Sequence, residues 1–298
     1  MKWNRPISRW LGACIALTVL LGSAALALAA NAFPVKLRDQ FGRTVSVARE
    51  PQRIVSCSPA STEVLFALGL GRKVVGVTKW CNYPPEAKAI EQIGDILPLN
   101  VEKVAALRPD LVVANGLNGK DAVDTLTGLG LTVIALDPTS FADILASIDL
   151  LGKATGAEQA AGTLANKLKD TLRRVESMGI KTKSRGLKVF ILLGDPFWTA
   201  GPGSFLDEAV TLAGGANIAH DLGSAWGQMN QELILQRNPD VIVTDIDPDT
   251  IYKNAVWRDM AAVRKKQVYR IVGDDYYRPG PRLIEALEDL AGLLEKSK

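Results

Sequence analysis

The side chains able to do chemistry are few in this sequence, and that scarcity limits what it can do. His220 is the only histidine among 298 residues, so a histidine-rich metal site is excluded and any Ser-His-Asp arrangement would have to use that one ring. It follows Gly214-Gly215-Ala216-Asn217-Ile218-Ala219 and reads as a surface loop residue, and no G-x-S-x-G elbow accompanies it. Gly116-Leu117-Asn118-Gly119-Lys120 lacks both the phosphate-loop spacing and a following Ser or Thr. Gly69-Leu70-Gly71 precedes a strand-like run and does not open a helix, so it is no dinucleotide fingerprint. Beyond the leading segment there are two cysteines, Cys57 and Cys81, each just after a strand-like run. With no histidine nearby they make a poor metal site, while a disulfide between them and a pair of free thiols both fit the sequence.

Aromatic placement is more informative. Trp80, Trp198 and Trp226 sit in loops containing Pro, Gly or Asn, after strands or before helices, and Tyr276 and Tyr277 follow a strand-like run. In open parallel sheets ligands bind beyond the carboxyl ends of the strands. Rings from several such loops would converge on one cleft and give a large ligand flat apolar walls. Trp257, within Ala255-Val256-Trp257-Arg258, reads as a packing residue.

The elements that would position these rings follow an α/β pattern. A hairpin is predicted over Val35–Asp39 and Arg43–Val47, with its turn at Gly42. Short β-branched runs follow at Ile54–Cys57, Val74–Val77, Leu111–Ala114 and Val133–Leu136, then at Lys188–Leu193, Val241–Thr244 and Val268–Val272. Strands alternating with amphipathic helices imply parallel pairing through crossover helices. Between the two sets, Ala160, Leu164, Leu168, Leu172 and Val175 form one apolar face of a long helix starting at Ala157. An internal repeat joins the halves. Asn100-Val101-Glu102 through Arg108-Pro109-Asp110-Leu111 recurs 130 residues later as Asn230-Gln231-Glu232 through Asn238-Pro239-Asp240-Val241. In each copy Asn is a helix cap, Glu lies in the first turn and Pro-Asp separates helix from strand, implying two similarly built lobes.

Residues 1–32 combine a basic start, an uncharged stretch from Leu11 to Ala30 and small residues before Phe33, which reads as a secretory signal cleaved after Ala29 or Ala32. The net charge of +3 comes from that leader: setting aside Lys2, Arg5 and Arg9 leaves 32 of the 35 basic residues against 32 acidic ones. A neutral body without a Lys/Arg-rich run argues against a nucleic-acid partner. The expected organisation is a signal peptide at 1–32, an N-terminal α/β lobe at 33–156, a backbone helix at 157–181 and a C-terminal α/β lobe at 182–298.

Ser58-Pro59-Ala60-Ser61-Thr62-Glu63, followed by Val75-Gly76-Val77 and Asn82-Tyr83-Pro84-Pro85, resembles the substrate-binding proteins of ABC importers. The resemblance is to the class with a helical backbone, which serves cobalamin, haem and ferric siderophores, and within it to the cobalamin binders. It runs from Arg53 to the C-terminal helix. It implies two α/β lobes with parallel-rich sheets, joined by one long helix and closing little on their ligand. It also implies a periplasmic, monomeric, non-catalytic protein that delivers cobalamin or a related corrinoid to a permease dimer with its ATPase subunits. No metal or cofactor of its own is expected.

Matched residue by residue, Trp80 falls where cobalamin binders carry a ligand-contacting tyrosine, Trp198 where they carry phenylalanine and Trp226 where they carry tryptophan. Asp275 matches an aspartate beside the ligand. With Ser58, Tyr276 and Tyr277 these make up the expected ligand site, and Glu102 and Glu232 match the lobe-tip glutamates that dock onto permease arginines. Two further ligand-facing tryptophans of the cobalamin binders fall at Ile96 and Asn115, which implies a remodelled pocket. The alternative ligands are haem, with Tyr276 or Tyr277 as the axial group, and a ferric siderophore held by Arg278 and Arg282. A remote alternative is a secreted α/β hydrolase using Ser58 or Ser204.

Overall fold

The computed structural model describes residues 33–194, 196–271 and 273–297; the predicted signal at 1–32 lies outside them. No helix among the described residues is long and apolar enough to cross a membrane. The chain opens with the antiparallel hairpin β1 (Val35–Arg38) and β2 (Thr44–Val47). It continues through β3 (Ile54–Ser56), α1 (Pro59–Ala67), β4 (Val74–Val77), α2 (Val101–Ala106), β5 (Leu111–Asn115), α3 (Lys120–Gly128), β6 (Val133–Leu136) and α4 (Phe141–Thr155). Helix α5 (Glu158–Lys183) crosses to the second half. There follow β7 (Lys188–Leu192), β8 (Trp198–Ala200), α6 (Phe205–Leu212), β9 (Ala216–Asn217), β10 (Trp226–Gln228), α7 (Gln231–Arg237) and β11 (Val241–Thr244). The chain ends with α8 (Pro248–Tyr252), α9 (Ala261–Arg264), β12 (Val268–Arg270) and α10 (Pro281–Lys296).

Each half builds a four-stranded parallel sheet of the same topology: β4-β3-β5-β6 in the first and β9-β7-β11-β12 in the second. Strands β5 and β11, at the centre of the two sheets, are buried along their whole length, as parallel sheets covered on both faces require. The sequence repeat returns as a structural one, with an asparagine cap on the third N–H of one helix and the second N–H of the other. Asn100 Oδ1 accepts from the Lys103 N–H at 2.8 Å and Asn230 Oδ1 from the Glu232 N–H at 2.7 Å, each capping its helix. Arg108 and Asn238, the residues before the two prolines, both take a left-handed backbone, with φ of 47° and 46°. Buried and exposed positions follow the same order over residues 101–110 and 231–240. The aspartate after each proline then grips the start of the sheet's second strand. Asp110 accepts from the Arg53 N–H at 2.9 Å and returns its own N–H to the Arg53 carbonyl, and Asp240 does the same with Lys188 at 3.1 and 2.8 Å. The turn therefore registers α2 against β3 and β5, and α7 against β7 and β11.

Helix α5 buries Ala161, Leu168, Thr171, Val175, Gly179 and Thr182. It packs against α4 of the first lobe and α10 of the second, and at about 1.5 Å per residue it is long enough to reach both. Gly179 is needed where α5 meets the end of α6, because a Cβ there would collide with the Leu212 carbonyl. Strands β8, β9 and β10 were not predicted. They are two or three residues long, and β8 pairs antiparallel with β10 as a ribbon beside the second sheet.

An interlobe cleft with aromatic walls

The carboxyl ends of both sheets face one cleft of about 550 Å³. The first lobe supplies Ser58–Ala60 at the start of α1, Trp80 after β4, Asn115 and Leu117 after β5, and Asp137–Thr139 after β6. The second supplies Gly203–Phe205 at the start of α6, Trp226 on β10, and Asp274 and Tyr277–Pro279 after β12. Strand ends from both lobes thus meet where ligands bind in open α/β sheets.

Of the predicted ligand residues, the structure brings Ser58, Trp80, Trp226 and Tyr277 together in this cleft. Trp80 is 51% exposed, and its indole N–H donates to Asp95 at 2.6 Å. The Lys79 ammonium, and then that bond, hold the Asp95 carboxyl down at about 2. Trp226 is packed on Phe205, with ring centroids 5.1 Å apart and planes tilted by 59°, leaving its other face to the cleft. Ser58 caps α1, accepting from the Ser61 N–H, and its hydroxyl also pairs with that of Ser61 at 2.8 Å.

Trp198, Asp275 and Tyr276 lie outside the cleft lining. In the β8–β10 ribbon Trp226 is opposite Ala200 and Trp198 opposite Gln228, so both tryptophans share one face, with Trp198 two pairs further along the ribbon. Tyr276 is a core residue, 8% exposed, and its hydroxyl donates to the Ala286 carbonyl at 2.9 Å. The single turn at Asp275–Tyr277 sends adjacent tyrosines in opposite directions, one into the core and one to the cleft. Asp275 pairs with Arg282.

Of the two arrangements the sequence left open for Cys57 and Cys81, the structure has the free thiols, both buried. Cys81 Sγ accepts from Thr62 Oγ1 at 3.2 Å, and burial pushes both thiols up. The serine-nucleophile alternative finds no geometry either. Ser204 Oγ donates to the Gly201 carbonyl and accepts from Asp207 N–H as the cap of α6, and His220 Nδ1 lies 3.1 Å from the Asn217 carbonyl, outside the cleft.

Sequence reasoning missed the charge cluster at the back of the cleft. Glu63, 4% exposed in the middle of α1, accepts from Arg282 Nε at 2.9 Å, Arg282 Nη2 at 2.6 Å and Arg278 Nη1 at 3.1 Å. Arg278 also reaches Asn82 Oδ1 at 2.8 Å, the Trp80 carbonyl at 3.1 Å and Asp274, while the Tyr83 ring covers the Arg282 guanidinium at 4.0 Å. This cluster joins α1 of the first lobe to the start of α10 in the second. Its three carboxylates, Glu63, Asp274 and Asp275, outnumber its two guanidiniums. Arg278, the one cation lining the cleft among the described residues, is therefore fully engaged, and the cleft is net acidic. A lone acid in the otherwise uncharged helix Pro-Ala-Ser-Thr-Glu-Val-Leu-Phe-Ala was the available signal, since buried charges are paired.

Comparison with known proteins agrees with this architecture. The family model described as periplasmic binding protein matches residues 54–274. An uncharacterised ABC transporter substrate-binding lipoprotein of Bacillus subtilis is 39% identical over 87% of this chain and 85% of its own. A vitamin B12-binding protein of Salmonella paratyphi A is 35% identical over 82% and 90%. Among solved structures, the periplasmic vitamin B12 binding protein of Vibrio cholerae superposes with a TM-score of 0.74 at 28% identity, covering 82% of this chain and 97% of the other. A periplasmic haem-binding protein of Roseiflexus is as similar in shape, with a TM-score of 0.73 at 27% identity over 82% and 98%. These relatives are exported solute-binding proteins and not enzymes, which leaves no place for the hydrolase alternative. With two alike lobes, a helical backbone and a ligand cleft between them, the chain belongs to the periplasmic binding protein family, as a substrate-binding subunit of an ABC importer.

Proposed function

We propose that this protein binds a corrinoid, cobalamin or a close relative, in the interlobe cleft and carries it as a periplasmic monomer to its permease. The leader is removed after Ala29 or Ala32. The observation that carries the reading is the charge state of the cleft: aromatic walls at Trp80 and Trp226, no unpaired cation, and a net negative charge. A corrin ring bears uncharged carboxamides around its rim and suits such a site. Haem carries two propionates and anionic siderophores several charges, and each would need a free Arg or Lys.

Axial ligation of haem iron is disfavoured as well. The Tyr277 hydroxyl donates to Asp245 at 2.6 Å, and burial together with that bond pushes the phenol up, away from the phenolate a metal would require. Glu102 and Glu232, exposed at equivalent places in the first turns of α2 and α7, are the proposed permease contacts, one acid on each lobe.

Tryptophan fluorescence tests the binding reading, because the corrin chromophore absorbs near the indole emission and sits against Trp80 and Trp226 in the proposed complex. Cyanocobalamin is expected to quench saturably. Trp226→Ala should weaken binding by about 1–3 kcal/mol, roughly 5- to 150-fold, as loss of an aromatic anchor does. A folded Trp226→Ala protein with unchanged affinity would remove this ring from the site.

A further inference from the structure

The cleft holds two polar groups without a partner, and they are neighbours. In the first sheet Asn115 pairs with Leu136 at the carboxyl ends of β5 and β6, which sets Gly116 beside Asp137 one residue further on. The Asp137 carboxylate is seated against the bare Cα of Gly116, where a Cβ would collide with it. Its backbone N–H is held by Gln40 Oε1 at 2.6 Å, but its carboxylate, on an exposed residue of the cleft wall, makes no hydrogen bond or ion pair to the described residues. Partial burial and the nearby Asp143 carboxylate push it up, as expected of an acid with no cation beside it.

Asn115 is oriented by its own turn. Its Oδ1 accepts from the Leu117 N–H at 3.0 Å, which leaves Nδ2 as a donor with no partner among the described residues. Both side chains line the cleft, across from Ser204 and Trp226. A donor at the end of β5 and an acceptor just past the end of β6, both lining one cleft, complement a primary carboxamide, whose carbonyl accepts and whose NH2 donates.

We infer that Asn115 and Asp137 form a carboxamide-reading subsite, with Asn115 Nδ2 donating to the ligand's amide oxygen and Asp137 accepting from its NH2. The inference rests on the corrinoid reading and sharpens it. The pair would bind a rim amide of the ring and reject the same position as a carboxylate, which offers Asp137 no donor and faces it with a like charge. A site built for a polar partner discriminates strongly when that partner is missing.

The test compares cyanocobalamin with the three monocarboxylic acids made by hydrolysing single propionamide side chains, each titrated calorimetrically into wild type and Asp137→Asn near neutral pH. Wild type is expected to bind at least one of the acids about 30-fold or more below the parent. Asp137→Asn, which removes the charge at constant shape, should recover about tenfold of that loss for the same acid, since one like-charge contact is worth roughly 1.4 kcal/mol here. Equal binding of the parent and all three acids by wild type would overturn the subsite and leave the corrinoid reading standing. A penalty unchanged in Asp137→Asn would also overturn it. Failure of cyanocobalamin itself to bind would overturn both.

Discussion

Glu63→Ala should cost about 3–5 kcal/mol of folding stability, the largest effect expected of any single substitution in the cleft wall. The reason is the asymmetry of buried charge. In the native protein the Glu63 carboxylate accepts from both Arg278 and Arg282, and its removal leaves two largely buried guanidiniums facing each other without their shared acid. The α1–α10 junction joins the two lobes directly, so the same change should loosen one lobe against the other. Urea denaturation measures the first effect and small-angle scattering the second. Lys167→Ala provides the contrast. It removes an ion pair between α5 and Glu285 of α10 that is mostly in water, and should change stability by no more than about 0.5 kcal/mol. Equal effects from the two substitutions would refute the view that burial gives the Glu63 cluster its weight.

Changing Glu102 and Glu232 together to Ala is expected to abolish uptake while leaving ligand affinity within a factor of about two, because rim charges govern partner docking and not the cleft. Each acid also sits in the first turn of a helix, where its interaction with the dipole is worth about 0.3–1 kcal/mol, so a small loss of stability should accompany the change. Conversion to Gln keeps the side chain's length and separates the two roles. Uptake measured with the purified permease complex in vesicles, beside titration of the free protein, reads both quantities. Full uptake by the double variant would remove these glutamates from the docking face. The equivalence of the two sites, each with an asparagine cap, a left-handed residue before the proline and an aspartate clamp after it, is what a permease built from two like halves would meet.

The frame of the fold was legible because its signals are local and repeated. Val74–Val77, Val133–Leu136 and Val241–Thr244 are strands with the predicted bounds, since each is an apolar run between turns. The long helix covers Glu158–Lys183, two residues past the predicted end, where the basic Lys181 and Lys183 suit a helix C-terminus. Strands β8 and β10 escaped because Trp-Thr-Ala and Trp-Gly-Gln are too short to show a period, and their strand form comes from pairing with each other.

The site was legible in part. Aromatic loops at strand ends pointed to the right cleft, but whether Tyr276 or Tyr277 enters it depends on a single turn of 3-10 helix that sequence does not orient. Asp137 carried no motif, only an Asp-Pro after a buried strand, and its importance emerges from having no partner. Arg278 and Arg282 seemed available to an anionic ligand until Glu63, far away in sequence, turned out to neutralise them. Pairing across more than two hundred residues has no signature in a single sequence.

An aromatic, net acidic cleft should select an uncharged, amide-rimmed metal chelate over an anionic one. Parallel calorimetric titration of the mature protein with cyanocobalamin and with haemin tests it most directly. The account predicts saturable single-site binding of cyanocobalamin, with haemin weaker by about 100-fold or more, the equivalent of roughly 2.7 kcal/mol. Saturable binding of haemin with none of cyanocobalamin would contradict it.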